Sequence, residues 1–419
     1  MPPKIFRRSL LCSAAFVVAL VAGCATPRHP ADWITVREVS PAFLDSIDAR
    51  DPAVAADAHG RVALTYVTRD TNGARELWLA VSRDSGTTFS APVRVNDVPG
   101  SVSSYPEGRP AAVFGPAGAL IVTWGARRPG VERAVDIASR ASSDGGVTLG
   151  PVAYLNDDRA SGVLAFHGFP AVAFRPDGAL FAAWLDERDY ATAQGEPTGS
   201  SLYRAMSFDG GQSWSANQRM RDTVCACCRP MVATDASGGI ALAYRSAYFN
   251  LRDPALAVSR DGGSTFAVDT VLHADRWYLP GCPDVGPALT WNRDTGGHYA
   301  WYTGAGVPGV YLMSWRFDGG SGGMKRALTD SIDQATSPRM TALGEATLIG
   351  VEARPAADTT HTVFAVRALD PSGSLTPWVF LGGDVRDAWL AGADPHSAFA
   401  CWVERDGDRS RTRVVRLVR

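Results

Sequence analysis

The stretch Ser207–Trp214 reads SFDGGQSW, and three further stretches of the 419-residue chain repeat its order of residue types. The Asp carboxylate of such a stretch can accept hydrogen bonds from backbone N–H groups of a tight turn, and a glycine supplies the positive φ that the turn requires. A turn repeated in this way indicates one structural unit used several times. The other full copies are Ser82–Phe89, Ser142–Leu149 and Ser259–Phe266, and Arg316–Gly320 is a degenerate fifth.

A second series of residues has the same spacing. Each unit opens at a proline, and the first four of these prolines are separated by 58, 60 and 60 positions. An alternating apolar run then ends near an aromatic residue, as at Tyr66 and Trp124. Four short antiparallel strands, A to D, fit one unit, which is the size of a propeller blade. We therefore predict an all-β propeller over residues 33–419. The prolines are Pro52, Pro110, Pro170, Pro230, Pro287 and Pro338.

The number of blades depends on the two ends of this region. The last unit, up to Arg419, contains about three strands, whereas Trp33–Val39 has strand character and no unit of its own. We predict that this N-terminal segment supplies the missing outer strand and closes the ring, which leaves no free sheet edge. This count favours seven blades, with six as the alternative.

The repeated turn resembles the Asp box, or bacterial neuraminidase (BNR) repeat, of sialidase-like β-propellers. Sialidases have six blades, so a seven-bladed ring would depart from that family. The resemblance concerns architecture, because Asp boxes are structural turns. If the chain is an enzyme, the resemblance implies a glycoside hydrolase of the exo-α-sialidase type acting on terminal acidic sugars.

Residues 1–23 have the pattern of a lipoprotein signal peptide. Basic residues precede the apolar run Leu10–Ala22, which is too short to span a bilayer. The run ends in Val-Ala-Gly-Cys24, which resembles a lipobox, so we predict that Cys24 is lipidated and that residues 24–32 form a tether. Phe6–Leu11 also resembles a twin-arginine signal, and both export routes stay open. We expect a lipid-anchored protein of the cell envelope, in the outer membrane and facing the periplasm or the surface.

The charge balance bears on the partner. The chain has 41 Lys and Arg against 43 Asp and Glu, a formal net charge of −2, and no basic cluster. This balance argues against a nucleic-acid partner. We therefore expect the ligand to be a glycan or a protein. We expect the protein to contact the membrane through its lipid anchor.

In a propeller, the loops that enter strand A and those that join B to C lie on one face, which we call the top face. Arginines recur there, together with carboxylates and tyrosines, and arginine grips a carboxylate through two parallel hydrogen bonds. An acidic sugar would fit such a face, although Arg–Asp pairs that merely connect blades would leave the same pattern. The ligand-binding candidates are Arg109, His167, Glu187 and Arg229.

The sialidase resemblance implies an arginine triad, a tyrosine nucleophile and an acid/base aspartate. Arg50 and Pro52 keep the opening motif of the family, but its aromatic residue is absent and Asp51 replaces its isoleucine. An aspartate beside Arg50 would weaken its grip on a carboxylate. The catalytic candidates are Arg50, Arg245 and Arg354 for the triad, Asp70 as the acid and Tyr302 as the nucleophile.

Four cysteines precede strand A of two neighbouring blades. We expect Cys225, Cys227, Cys228 and Cys282 to meet on the top face, and disulfides are the first interpretation for an exported protein. A copper or zinc site, with His167 as a further ligand, is the second interpretation, and a redox-active dithiol is the third. A bond between the adjacent Cys227 and Cys228 would strain the peptide, so we expect Cys282 to pair with Cys225 or Cys228 if the cysteines are oxidised.

Two classes of function follow from the sequence. The first is a surface propeller that binds an acidic glycan, a protein or a metal on its top face. The second is the exo-sialidase-type hydrolase. The altered Arg50 motif and the cysteine group favour the first.

Overall fold

The computed structural model describes residues 33–131, 134–190, 199–266, 268–293, 296–318, 321–406 and 409–419. In these residues seven antiparallel sheets of four main strands each form a ring, which confirms the predicted seven-bladed β-propeller. The innermost strands of successive blades contact one another around the axis. Chain order within a blade runs from the axis outward.

Six blades are built from consecutive strands, and the seventh combines both ends of the described chain. Blade 7 contains β1 (Thr35–Glu38), which precedes blade 1 in the chain. Blade 1 contains β2 (Arg50–Ala56), β3 (Val62–Arg69), β4 (Arg75–Ser82) and β5 (Val93–Arg94). Blade 2 contains β6 (Val102–Ser103), β7 (Ala111–Phe114), β8 (Leu120–Arg127), β9 (Val135–Ser142) and β10 (Val152–Tyr154). Blade 3 contains β11 (His167–Phe174), β12 (Leu180–Asp186), β13 (Ser200–Ser207) and β14 (Gln218–Val224). Blade 4 contains β15 (Met231–Thr234), β16 (Ile240–Arg245), β17 (Pro254–Ser259) and β18 (Val268–Val271). Blade 5 contains β19 (Ala288–Asn292), β20 (Gly296–Thr303), β21 (Gly309–Trp315) and β22 (Ser321–Ala327). Blade 6 contains β23 (Ile332–Leu343), β24 (Ala346–Pro355), β25 (Val363–Leu369) and β26 (Val379–Leu381). Blade 7 is completed by β27 (Val385–Asp394), β28 (Ser397–Asp406) and β29 (Arg409–Val418).

The helices are short. The described residues contain four 3₁₀ helices: Ala42–Ser46, Pro106–Gly108, Pro116–Gly118 and Tyr248–Asn250. Within this part of the chain, no helix has the length and apolar character needed to cross a membrane. The predicted signal peptide, the lipidated Cys24 and the tether fall in residues 1–32, outside the described residues.

The ring closes through β1, as predicted. This strand pairs antiparallel with β29, in the register Thr35 opposite Val418 and Glu38 opposite Val415. The indole of Trp33 donates a hydrogen bond to the Pro377 carbonyl of blade 6 over 3.0 Å, so the segment also ties blade 7 to its neighbour. Closure therefore satisfies the outer edge of β29.

The hydrophobic core lies between adjacent blades. Side chains of the second strand of a blade point alternately to its two neighbours, and in six of the seven blades this strand carries a large buried aromatic side chain. All six of these aromatic residues are at most 4% exposed, which fits one packed layer repeated around the ring. These residues are Tyr66, Trp124, Trp184, Tyr244, Trp301 and Trp402.

The four repeated turns share one hydrogen-bond pattern. In the third, Asp209 Oδ1 accepts from the Ser213 backbone N–H over 3.0 Å and from the Ser207 hydroxyl over 2.8 Å. Gly211 has φ +94°, and a Cβ there would lie 2.7 Å from the Ile121 side chain of blade 2. The glycine is therefore required both by the turn and by the close contact between blades. The degenerate fifth copy extends into residues outside the described part.

Replacing Asp209 by alanine should lower the free energy of unfolding by about 1 kcal/mol, because an exposed turn loses its acceptor. Thermal melting should register this loss, whereas ligand affinity should not change, since C–D turns lie on the face opposite the top face. An Asp209→Ala protein that keeps its stability but loses ligand binding would show that the two faces are wrongly assigned.

Candidate functional site

Two neighbouring blades begin with the same strained Arg–Asp pair. Asp51 in β2 and Asp387 in β27 have positive φ values of 47° and 58°. The register of each strand shifts at this point, which marks a β-bulge. Non-glycine residues in this region of φ cost energy and are concentrated at functional sites. The bulges place Arg50–Asp51 and Arg386–Asp387 at the top of blades 1 and 7.

These two pairs line a pocket of about 270 Å³ between blades 1, 2 and 7, which we call the arginine pocket. The end of β3 and the start of β4 contribute two more guanidinium groups, and the segment after β6 contributes Tyr105. The charged residues that line the pocket are Arg50, Arg69, Arg75, Arg386, Asp51 and Asp387.

The guanidinium groups of the pocket are only partly satisfied by the protein. Arg50 donates to Asp48 over 2.8 Å, and Arg386 donates to the Ser410 hydroxyl over 2.8 Å. Arg75 donates to the Ser104 carbonyl. In the part of the chain that the structure describes, the Arg69 side chain has no hydrogen-bonded partner. Donors therefore remain for a ligand.

The electrostatics of the pocket favour an anion. Burial, followed by the like charges of Arg127, Arg69 and Arg50, lowers the pKa of Arg75 despite nearby Asp51. Burial also raises the pKa of Asp387, against the pull of Arg109. Four guanidinium groups thus face carboxylates that do not balance them, and an anionic ligand would relieve the excess positive charge.

Below the top face, the axis of the propeller is filled by a buried group of charged side chains. The innermost strand of blade 2 is interrupted, because β6 and β7 both pair with β8, and the intervening 3₁₀ helix carries Glu107 to the axis. The Glu107 carboxylate lies 2.9 Å from Arg229 Nε and 2.7 Å from Arg339 Nη2, and it accepts from the Gly286 N–H over 3.0 Å. These contacts join blades 2, 4, 5 and 6.

Arg109 and Trp389 complete this group, which we call the axial cluster (Glu107, Arg109, Arg229, Arg339 and Trp389). Arg109 Nη1 donates over 2.7 Å to the carbonyls of Pro52 and Asp387. The guanidinium carbons of Arg109, Arg229 and Arg339 lie 5.1, 5.5 and 5.2 Å from the Trp389 ring centroid. Each of the three arginines is at most 5% exposed, so they hold blades together rather than present donors to solvent.

Burial and ion pairing act against each other in the axial cluster. Burial alone would raise the pKa of Glu107, but the guanidinium groups of Arg339 and Arg229 hold it at about 2. Burial and the neighbouring Arg339 lower the pKa of Arg229 to about 9. Glu107 therefore stays ionised at neutral pH and compensates the two arginines.

The predicted catalytic residues occupy separate places in the ring. Arg50 lines the arginine pocket, whereas Arg245 is buried in blade 4 and donates over 2.8 Å to the carbonyls of Arg252 and Tyr302. Arg354 lies opposite Asp333 at the end of β24 in blade 6. The arginines that converge at the axis are instead Arg109, Arg229 and Arg339. Sequence analysis did not single out Arg339, although Pro338–Arg339 occupies the same blade position as the other arginines.

The predicted acid and nucleophile have structural contacts. Asp70 Oδ1 accepts from the N–H groups of Asn72 and Ala74 over 2.9 and 2.8 Å, which forms an exposed turn outside the lining of the arginine pocket. The Tyr302 ring packs against Trp277 with 5.5 Å between centroids. The carboxyl groups that line the arginine pocket are those of Asp51 and Asp387.

Two further ligand-binding candidates lie in blade 3. His167 is fully buried, and its ring nitrogens lie 2.8 Å from the Val135 carbonyl and 3.0 Å from Asp158. Burial acts to lower its pKa, but Asp158 and Asp186 outweigh this and raise it. Glu187 is half-buried and its backbone N–H bonds to Phe166. With both nitrogens occupied, His167 joins blades rather than facing a ligand.

The four cysteines meet on the top face, as predicted, but their pairing differs from the prediction. Cys225 bonds to Cys228 and Cys227 bonds to Cys282, with Cα separations of 5.4 and 6.2 Å. The expected pairing of Cys282 with Cys225 or Cys228 is wrong because residues 225–228 form a turn, with the Cys228 N–H bonded to the Cys225 carbonyl. A turn brings its first and fourth residues together and leaves the third for the neighbouring blade.

This oxidation state bears on the metal interpretation. The sulfurs of Cys225, Cys227 and Cys228 lie within 4.8 Å of one another, as do the ligand atoms of Cys227, Cys282 and Asp284. Copper and zinc bind thiolates, and a disulfide offers none. Such a metal would therefore require the reduced chain. Cys401, the remaining described cysteine, is buried in β28.

Several pocket residues were missed by sequence analysis. Arg386–Asp387 repeats the Arg50–Asp51 pair at the same position of its blade, and this repetition was the available signal. The residue after this pair is Ala388, whereas the residue after Arg50–Asp51 is a proline, so the second pair did not stand out. Arg75 and Tyr105 have no local signal, because only the ring brings their loops together.

Comparison with known proteins shows the fold and no family. No family model matches the chain, and no curated protein matches it. Among solved structures, a lectin from Burkholderia pseudomallei has a TM-score of 0.60 at 13% identity, over 89% of this chain and 96% of the lectin. A polysaccharide lyase has a TM-score of 0.54 at 12% identity, over 87% and 89%. A Hadza microbial sialidase has a TM-score of 0.52 at 14% identity, over 92% and 68%. At these identities the likeness shows a shared propeller fold.

Proposed function

We propose that this protein binds a carboxylated sugar on its top face, in the arginine pocket. The observation that carries the proposal is the convergence of four arginines on one pocket with an incomplete set of counter-charges. A sugar carboxylate can take two parallel hydrogen bonds from a guanidinium group, and its hydroxyls can use Asp51 and the remaining donors. The glycan-related structural neighbours support this class of ligand, although fold alone is a weak guide to function.

Binding should depend on the arginines that line the pocket. Arg69→Ala and Arg386→Ala should each weaken binding of N-acetylneuraminic acid or glucuronic acid about 10-fold or more, because each removes a charged hydrogen bond. Titration calorimetry at low and high salt measures the loss, and added salt should weaken the wild-type interaction. Arg94→Ala, on the exposed outer strand of blade 1, is the matched control. Equal affinity in the pocket variants and in the control would refute the site.

The same titration has a predicted pH dependence. The raised pKa of Asp387 means that the carboxyl becomes neutral as the pH falls through that pKa, and the pocket becomes more positive. Carboxylate binding should therefore tighten on acidification until the sugar itself is protonated. Asp387→Asn should remove this change.

A second candidate function, hydrolysis of a terminal acidic sugar, is favoured by one observation. Asp387 is a mostly buried carboxyl inside the arginine pocket, and its pKa is raised by burial, which is the direction of shift that a general acid needs. Turnover of a fluorogenic sialoside that disappears in Asp387→Asn would support hydrolysis. Binding without turnover leaves the protein as a lectin-like propeller.

We also propose that the protein is exported and anchored to the cell envelope through Cys24. The Val-Ala-Gly-Cys24 ending of the apolar N-terminal run supports this. Cys24→Ser should abolish incorporation of labelled fatty acid and shift the protein out of the membrane fraction. Labelling and partitioning like those of the wild type would refute the anchor.

A further inference from the structure

Three aromatic side chains project from the top face between blades 4 and 5. Tyr248, Phe249 and Tyr278 are 61%, 75% and 63% exposed. The first two lie on the loop that joins β16 to β17, and their ring centroids are 4.4 Å apart. Tyr278 lies on the loop that leads into β19. Exposed aromatic rings on two loops that pair with each other mark a place of contact. We call these three residues the aromatic platform.

The two loops of the platform are paired with each other. The Leu279 N–H donates to the Asn250 carbonyl over 2.9 Å, and the Arg252 N–H donates to the Trp277 carbonyl over 2.8 Å. Leu251 forms an antiparallel bridge with Tyr278. This short ladder fixes the backbone beneath the rings, so binding would cost little loop ordering.

Local strain also points to a function for this loop. Phe249 and Asn250 are consecutive non-glycine residues with φ values of 51° and 60°. This conformation is unfavourable for residues with a side chain and persists only where surrounding contacts impose it.

The exposed disulfide supports the same surface. Cys282 follows the platform loop and bonds to Cys227 of the preceding blade entry. Arg252 Nη2 donates to the Gly281 carbonyl over 2.9 Å, next to that disulfide. The segment from Tyr278 to Cys282 is thus held at two points, by backbone pairing at Tyr278 and by a covalent bond at Cys282.

The size of the platform favours a sugar over a protein. Three rings of this exposure offer about 300–500 Å² of apolar surface, whereas a stable protein interface buries about 800 Å² on each partner. The C–H face of a sugar ring is apolar and slightly positive, and it packs on the negative face of an aromatic ring. Two or three sugar units would cover the platform.

We propose that the aromatic platform is a second glycan subsite, which stacks on the uncharged sugar units of an oligosaccharide. The proposal rests on the proposed function, in that both assign glycan binding to the top face. It adds the class of ligand: a chain of sugars rather than a single acidic residue. In a ring of seven blades, the boundary of blades 4 and 5 lies across the axis from the arginine pocket.

The experiment is binding of the purified protein to a printed array of neutral, sialylated and uronic-acid-containing oligosaccharides. Tyr248→Ala, Phe249→Ala and Tyr278→Ala should each reduce affinity about 2- to 10-fold for the oligosaccharides that wild type binds, and the triple variant should lose nearly all binding. Phe208→Ala is the matched control, because Phe208 is 76% exposed on the opposite face. Thermal melting of the variants should match that of wild type, since all three side chains are exposed.

The outcomes separate the platform from the arginine pocket. Binding of acidic glycans that is lost in Arg386→Ala and unchanged in the triple variant would overturn the platform alone. Binding of neutral glycans that is lost in the triple variant, together with binding of acidic glycans that is unchanged in Arg386→Ala, would uphold the platform and overturn the acidic-sugar pocket. Absence of binding to every printed glycan overturns both. A wild-type dimer that the triple variant abolishes would show that the rings contact protein instead.

A disulfide variant tests how the platform is positioned. The double variant Cys227→Ser with Cys282→Ser should weaken array binding several-fold without removing a ring, and hydrogen exchange of residues 276–282 should rise. Unchanged exchange with unchanged affinity would mean that the loop needs no covalent support, and the positioning role of the disulfide would be refuted.

Discussion

Glu107→Gln is expected to lower the free energy of unfolding by about 3–5 kcal/mol, because it leaves two buried guanidinium groups without a counter-charge. Arg229 and Arg339 are both at most 4% exposed, and Glu107 is their shared partner at 2.9 and 2.7 Å. Chemical denaturation followed by tryptophan fluorescence measures the loss. Glu38→Gln, at an exposed position of β1, is the control and should stay within about 0.5 kcal/mol of wild type.

Acid sensitivity gives an independent check. The pKa of Glu107 is about 2 in the folded protein, against an ordinary 4.5, so its ion pairs contribute stability above pH 4.5. This contribution should fade as the pH falls from 4.5 toward 2, and Glu107→Gln should lack it. Replacing Glu107, Arg229 and Arg339 together by methionine should restore part of the stability. Full stability of the single variant would refute the structural role of the axial cluster.

Deletion of residues 33–39 is the second large effect, because it removes the strand that closes the ring. β29 would lose its partner along Val415–Val418, and the buried Ile34 would leave a gap in the core of blade 7. We expect the melting temperature to fall by about 10 °C or more, with aggregation through the exposed edge. Differential scanning calorimetry and size-exclusion chromatography measure the two effects.

The control for this deletion keeps the strand and changes its exposed surface. Val36→Thr leaves the backbone pairing with Leu417 intact and alters a side chain that is 40% exposed, so its melting temperature should be close to that of wild type. A deletion variant that is monomeric and melts like the full chain would show that β1 is dispensable for closure.

Repetition is what made the architecture predictable. The turn at Ser207–Trp214 and its copies depend on hydrogen bonds within a few residues, so the sequence alone specifies them. The proline spacing then fixed the length of a blade, and the unpaired strand at Trp33–Val39 required a partner at the other end of the chain. Seven blades and N-terminal closure followed from these local patterns.

Which arginine side chains meet at the axis could not be predicted in the same way. Five of the seven blades carry an arginine at their entry, and whether that side chain points to the axis, to a neighbouring carbonyl or to solvent depends on bulges and on the loops of other blades. Arg245 was chosen for the triad and is buried against carbonyls, whereas Arg339 was overlooked and reaches Glu107. No spacing in the sequence distinguishes them.

Periodic and short-range patterns in the chain were enough to predict the all-β propeller, the preference for seven blades, the closing strand and the meeting of the four cysteines. The folded ring was needed to show which arginines share a pocket, which carboxylate lies between Arg229 and Arg339, and that Cys227 rather than Cys225 or Cys228 reaches Cys282. The physical reason is that these contacts join residues of different blades, and their geometry is set by a turn or a bulge of one residue that leaves no trace in the periodicity.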